Sequence, residues 1–356
     1  MVNKFDKFED VCKHIDNIYV KENKHILLYA FNATGKTRLS MQYENDDIIE
    51  SISYNAIVED YFSWDNDLKI ISFIKNTWLL NFIKSEGLEK DIETTFNEFN
   101  DKRIETIIDF DAGEIKFEII DEDKQKKQIK ISKGEETLFK WSVYFVALRN
   151  VIYILNDKEE DRSLSDFNNL KYIIIDDPIS SLDDYKVYTL SMQILNLIKF
   201  TNERQINVKF LITTHHILFY NILYNTMKNN RNKYNFYFLL KQDEQFVIEN
   251  INLKHPLIYH LQILKELKRA ILKNTIKKYH YNMFRSVLEK MSIILGFDNW
   301  QDMFKNFNEK DKLNKLINMN SHERYDTLET EYLTNEQIEI IKNAFDYFVK
   351  EYKINV

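Results

Sequence analysis

Cysteine is almost missing from this chain. One thiol, Cys12, stands among 356 residues. No disulfide framework can form within the chain, and a reducing compartment, the cytoplasm, is the expected location. Long apolar runs are missing too. None reaches the roughly 18 residues of a membrane-spanning helix, and the opening MVNKFDKFEDVCKHID is charged and lacks the apolar centre of a secretory signal. No membrane association is expected. Proline (two) and glycine (five) are scarce, so each one that falls in a turn has weight. There is no internal repeat and no low-complexity linker. What remains is an ordinary globular composition, 44% hydrophobic and 29% charged, in a chain long enough for two cores.

The net charge of −7 argues against a nonspecific nucleic-acid coat. The charge is unevenly spread. From Asn252 onward there are 17 lysines and arginines against 14 acids, a balance of +3, which leaves −10 for the first 251 residues. Within residues 265–280, Lys265, Lys268, Arg269, Lys273, Lys277 and Lys278 face Glu266 alone. This is either a solvated helix face or an electrostatic footprint for a polyanion.

Three short apolar runs read as buried strands: HILLYAF (25–31), LKYIIIDDP (170–178) and NVKFLITTHH (207–216). SVYFVALRNVIYIL (142–155) and VYTLSMQILNLIKF (187–200) carry helical periodicity. Strands alternating with helices predict an α/β domain with a mainly parallel sheet. EIKFEIIDEDKQKKQIKIS (114–132) reads as an antiparallel hairpin beside it. After Leu253 the pattern turns helical over 257–280, 281–296, 299–318 and 334–353. The expected domains are 1–253 and a small all-α 254–356, with the boundary near 253–256.

LLYAFNATGKTRLS (27–40) is the first candidate site. A strand, a turn and a helix start bring backbone N–H groups of Asn32, Thr34 and Gly35 toward one concavity. Lys36 would reach outer phosphates, and the Thr37 hydroxyl would hold Mg2+. Ala30 stands where such a loop usually opens with glycine. The strand YIIIDD (172–177) ends in two carboxylates, Asp176 for Mg2+ and Asp177 as the base that polarises attacking water, one methylene shorter than the usual glutamate. SKGEE (132–136) puts Ser132 and the Gly134 amide at a helix N-terminus. SSLDD (180–184) contains Asp183, and LITTHH (211–216) brings His215 to a strand end, where it would sense a γ-phosphate.

Loop, SKGE, strand-DD-P-SSLD and strand-TH stand in the order of the ABC-class ATPase heads of the SMC and RecN-like group, which residues 25–220 resemble. The resemblance implies an ABC-type P-loop NTPase head using ATP or GTP with Mg2+. It also implies a head-to-tail homodimer or higher oligomer, in which Ser132 and Gly134 of one subunit close over the nucleotide on Lys36 of the other. No glutamine marks a Q-loop; VEDYFSWDND (58–67) sits where it belongs. Thr37 and Ser132 are only 95 positions apart, with no sustained heptad between them, so no coiled-coil arm is expected.

In the C-terminal part, YHYNMFRSVLEKMSIILG (279–296) is an amphipathic helix on which Arg285 and Glu289 share a face. Read blandly, the two form an intrahelical salt bridge of about 0.3–0.5 kcal/mol. The apolar residues around them predict a largely buried helix, in which an ion pair needs a reason. NMNSHERYDTLE (318–329) reads as a polar loop with one histidine, His322. Arginine, glutamate and histidine suffice for metal-free RNA cleavage, with Glu289 as base for a ribose 2′-hydroxyl, His322 as acid for the leaving 5′-oxygen and Arg285 on the phosphate.

Arg285-x3-Glu289 and the downstream His322, behind this ATPase order, resemble the PrrC-type anticodon nucleases along nearly the whole chain. The resemblance implies tRNA as substrate, cut in the anticodon loop as an antiphage response. It implies a head whose nucleotide state restrains or releases the nuclease, and a type I restriction–modification complex as masking partner. Two other readings are an ABC-like sensor that signals to a separate effector and a RecN-like DNA-repair ATPase. Convergence of Arg285, Glu289 and His322 favours the nuclease. An Arg285–Glu289 pair with His322 turned elsewhere favours the sensor.

Overall fold

The computed structural model describes residues 2–31, 34–42, 50–100, 103–120, 125–179, 182–242, 245–251, 258–322 and 333–354. The chain divides into two compact units, Met1–Asn252 and Leu253–Val356.

The first unit runs β1 (Val2–Phe5), α1 (Phe8–Glu22), β2 (His25–Ala30), α2 (Lys36–Met41), β3 (Ser51–Tyr54), α3 (Ala56–Glu59), β4 (Phe62–Asp65), β5 (Ile70–Phe73), α4 (Trp78–Glu86), α5 (Glu89–Asn97), β6 (Glu105–Asp109), β7 (Glu114–Ile120), β8 (Lys126–Gln128), α6 (Lys133–Asn156), β9 (Tyr172–Asp176), α7 (Asp184–Glu203), β10 (Lys209–Thr214), α8 (Ile217–Met227), β11 (Tyr234–Gln242) and β12 (Gln245–Asn250). The main sheet has the order β1-β12-β11-β2-β10-β9-β3. Its five strands from β11 to β3 are parallel, and β12 and β1 close one edge antiparallel. This is the mixed, mainly parallel sheet of an ABC-type head. The three apolar runs are β2, β9 and β10, adjacent in the middle of the sheet. Strands covered on both faces bury every side chain, so they read as unbroken apolar stretches.

The hairpin expected at 114–132 is present as β7 and β8. It belongs to a separate antiparallel sheet, β4-β5-β7-β6, with β8 beside β7. The segment 58–67, weighed as a Q-loop, spans the end of α3 and all of β4. Between the two sheets lies α6. Phe139 meets Phe117 of β7 at 5.0 Å, and Trp141 meets Tyr54 of β3 at 5.2 Å. A helix apolar on every side belongs in a core, and 83% of its most apolar stretch is buried within this unit. Ser132 and Glu135 start it with reciprocal side-chain-to-backbone hydrogen bonds of 3.2 and 2.6 Å, a capping box.

Cys12 lies buried in α1, in the cluster that α1 and α2 form on one face of the sheet. Burial pushes its thiol up to about 11.

The second unit holds α9 (Ile258–Leu272), α10 (Lys278–Leu295), a 3-10 turn (Trp300–Phe304), α11 (Lys310–His322) and α12 (Asn335–Glu351) around its own apolar core, which includes Tyr281, Phe284, Phe304, Phe345 and Phe348. Two of the expected helices stop or break early. The 257–280 helix stops at Leu272, where Asn274 turns left-handed (φ 53°) and the Thr275 N–H returns to the Ala270 carbonyl at 2.9 Å. The 299–318 helix is split because Trp300, Met303 and Phe304 anchor a separate short turn. The expected boundary at 253–256 lies outside the described residues.

At the start of β2, His25 is buried with Nδ1 accepting from the Phe210 N–H at 3.0 Å. Burial lowers its pKa from 6.5 to about 3. A folded pKa below the unfolded one gives stability that is complete above pH 6.5 and drains away as the pH falls toward 3. Between pH 7.5 and 5.5 the wild type is expected to lose about 1.4 kcal/mol more than His25→Asn, which keeps an acceptor but does not titrate. Urea unfolding of both chains at the two pH values measures the difference.

Candidate functional site

Parallel strands side by side deliver their carboxyl ends to one edge of a sheet, where α/β proteins place their ligands. Here β2, β10 and β9 are neighbours, with Leu211 opposite Ile26 and Thr213 opposite Asp176. Lys36, Thr37, Asp176, Asp177 and His215, distant in sequence, therefore meet.

Gly35 opens α2 with φ 101°, a left-handed conformation suited to glycine. A Cβ on Gly35 would lie 2.4 Å from the Phe8 ring of α1, so the loop has two separate reasons to need glycine there. Thr34 tightens the turn by donating from its hydroxyl to the Phe31 carbonyl at 2.6 Å. Ala30 is the last residue of β2, fully buried and paired with Leu239. At a strand end its methyl group needs no glycine-like freedom, so the loop turns after it. Asn32 lies outside the described residues.

The Lys36 ammonium is buried. It donates to the carbonyls of Ala30 and Phe31 at 3.4 and 3.3 Å and lies 3.4 Å from Asp177. Asp177 is a non-glycine residue at φ 52°. Its N–H donates to the Thr213 carbonyl at 2.9 Å. Its carboxylate accepts from the Thr214 hydroxyl and the His215 N–H, both at 3.2 Å, and lies 2.5 Å from His215 Nδ1. Strain at an otherwise over-determined position is typical of a working site. Burial would raise the Asp177 pKa, but the His215 hydrogen bond and charge, with Lys36, outweigh it and hold the carboxyl low.

Asp176 is buried and accepts hydrogen bonds from the hydroxyls of Thr213 and Thr37. Burial raises its pKa despite those bonds. A carboxylate and a hydroxyl joined in this way are hard oxygen donors that suit Mg2+. Thr213, Thr214 and Phe8 are participants that sequence reasoning missed, although the paired threonines of LITTHH were a legible signal.

The remaining head residues stand apart. Ser132 caps α6, with Gly134 in its first turn. Asp183 caps α7, accepting from the Lys186 N–H at 3.0 Å and pairing with its ammonium at 3.1 Å. The α6 and α7 starts line one cavity of about 590 Å³, with Glu135, Asp183, Tyr185 and Lys186 in its wall.

In the second unit, the Arg285 Nε–H donates to Glu289 Oε1 at 2.7 Å on α10. The expectation of a buried pair is overturned, because the side chains are 25% and 47% exposed. The apolar residues 293–295 are consecutive and run around the helix, so they cannot all face the core. Residues 318–322, expected to begin a polar loop, are the last turn of α11, since no glycine or proline interrupts it. His322 ends that helix, and its side chain lies outside the described residues.

A family model described as an AAA domain matches residues 86–349. The chain is also 33% identical over 327 residues to an anticodon nuclease of Escherichia coli, covering 83% of this chain and 81% of that protein.

Gly35→Ala is expected to lower stability by about 1–3 kcal/mol through backbone strain and the collision with Phe8. Against a Phe8→Ala background, where the ring is gone, the same change costs at least about 1 kcal/mol less. Chemical unfolding of the four proteins measures this coupling, and additive costs would show that the ring is no obstacle.

Proposed function

The chain belongs to the anticodon nuclease family, and on that premise we propose that it is a nucleotide-regulated endoribonuclease that cuts tRNA in the anticodon loop as an antiphage response. The observation that carries the reading is the 33% identity to an anticodon nuclease over 83% of the chain; the Arg285–Glu289 pair, 2.7 Å apart and part-exposed on α10, is available for the chemistry.

In the head, Lys36 and the loop amides around Gly35 bind the phosphates of ATP or GTP. Thr37 and Asp176 would hold Mg2+, which would neutralise phosphate charge. Asp177 orients the hydrolytic water, and His215 fixes the Asp177 carboxylate and reads the outer phosphate. Ser132, Gly134 and Asp183 face the nucleotide of a partner copy in a head-to-tail dimer. The open cavity between the α6 and α7 starts supports that arrangement.

In the second unit, Glu289 takes the proton of a ribose 2′-hydroxyl, whose oxygen attacks the adjacent phosphorus. The bond to the 5′-oxygen breaks, and His322 returns a proton to it. Arg285 offsets the added charge. The products are a 2′,3′-cyclic phosphate and a 5′-hydroxyl, and DNA is refused because it lacks the attacking group. Lys265, Lys268, Arg269, Lys273 and Lys277 are exposed on and just after α9 and grip the stem-loop backbone. Nucleotide bound in the head restrains or releases this nuclease, with a type I restriction–modification complex as masking partner.

A second reading, a sensor with a separate effector, draws on the same pair, because Arg285 and Glu289 satisfy each other as an ordinary i,i+4 bridge does. Purified chain incubated with total tRNA, with and without nucleotide, separates the two. One specific cut is expected. It is reduced about 10²–10⁴-fold by His322→Ala or Glu289→Gln and freed from nucleotide control by Lys36→Ala. Intact tRNA under every nucleotide condition supports the sensor.

A further inference from the structure

The C-terminal end of α10 carries an anomaly. Phe284, Val287 and Leu288 are fully buried, as an amphipathic helix requires, but Ile293 is 71% exposed and Ile294 62%. Single exposed apolar residues are ordinary. Three consecutive ones at the end of a helix, Leu295 (43%) included, in a unit with a core of its own, leave apolar surface in water. Their position supplies a reason. Arg285, Glu289 and Ile293 succeed one another at four-residue intervals, as do Ser286, Lys290 and Ile294. Each interval is one helical turn, about 5–6 Å between Cβ atoms. One face of α10 therefore presents a cation, then a carboxylate, then an apolar ledge, with the exposed Lys290 alongside. The helix stops at Gly296 (φ 78°), and nothing lies within 4 Å of where a Cβ would stand there, so the end of the ledge is open.

We propose that Ile293 and Ile294 form the seat for the unstacked base of the nucleotide whose 2′-hydroxyl faces Glu289. The inference rests on the nuclease reading above. Attack by a 2′-oxygen on its own 3′-phosphate requires the sugar to be turned so that oxygen, phosphorus and leaving oxygen align. A base held against an apolar surface fixes that turn, and enzymes that work on splayed nucleotides hold the base between apolar or aromatic side chains. The occupant is a base of a single-stranded RNA loop, because only unpaired bases present a free face. The same unit's exposed basic residues fit the phosphates of such an RNA. Ile293 and Ile294 are positioning residues that take no part in proton transfer.

The test compares the full chain with Ile293→Ala/Ile294→Ala on two RNAs. One is the anticodon stem-loop. The other is the same RNA with an abasic ribose, its 2′-hydroxyl retained, on the 5′ side of the mapped cut. On the intact RNA the variant is expected to lose about tenfold or more in kcat/KM, the scale seen when a base loses its stacking partner. Its melting midpoint and nucleotide hydrolysis should equal those of wild type. Wild type should lose as much on the abasic RNA, and the variant should lose nothing further there. Ile293→Leu/Ile294→Leu should retain wild-type cleavage. Equal cleavage by variant and wild type on the intact RNA overturns the ledge alone, as do losses that multiply instead of overlapping. A wild type that cuts no RNA overturns the nuclease reading, and the ledge with it.

Discussion

A buried ammonium beside a half-buried carboxylate, Lys36 at 3.4 Å from Asp177, is the contact on which the head's arrangement turns. The two residues come from segments far apart in the chain, and they meet because β2, β10 and β9 lie side by side in parallel. Each charge is costly to hide alone, and removing either partner of such a pair typically costs 3–5 kcal/mol. The phosphate loop and the acidic strand end are thus tied together. His215 extends the tie to the end of β10 through the same carboxylate. An anion that claims Lys36 must take it from Asp177, so occupancy of the loop is felt at three strand ends together. A site wired in this way suits a switch at least as well as a fast hydrolase.

The second unit is built on a different plan. Its core is complete without its charged residues, and Arg285 and Glu289 sit on the outside of α10. The face that carries this pair is therefore free of the packing constraints that fix the head. Changes at Arg285 and Glu289 leave that core intact, whereas changes at Gly35 or Asp177 disturb the packing and charge pairing around them.

Much of the head was legible because burial writes itself into sequence. β2, β9 and β10 are apolar on both faces, so the runs located the strands, and the candidate residues Lys36, Asp176, Asp177 and His215 lie at or just past their ends. The edge strands β1 and β4 and the helix α1 alternate or mix polarity and went unread. With α1 unread, the Phe8 ring against Gly35 was invisible, since that contact joins two segments with no shared pattern. Ala30 looks like a defect only against the glycine that usually opens such a loop, whereas here it is still part of β2. On α10 composition misled: a high count of apolar residues suggested burial, but only those at helical spacing, such as Phe284 and Leu288, can face one core.

The lone thiol has a consequence of its own. Sulfur is attacked by oxidants and electrophiles as the thiolate, and with Cys12 pushed up to about 11 inside a packed cluster, only about one molecule in ten thousand carries that anion at neutral pH. That thiol is therefore a poor target for peroxide and mixed-disulfide chemistry while the cluster stays packed.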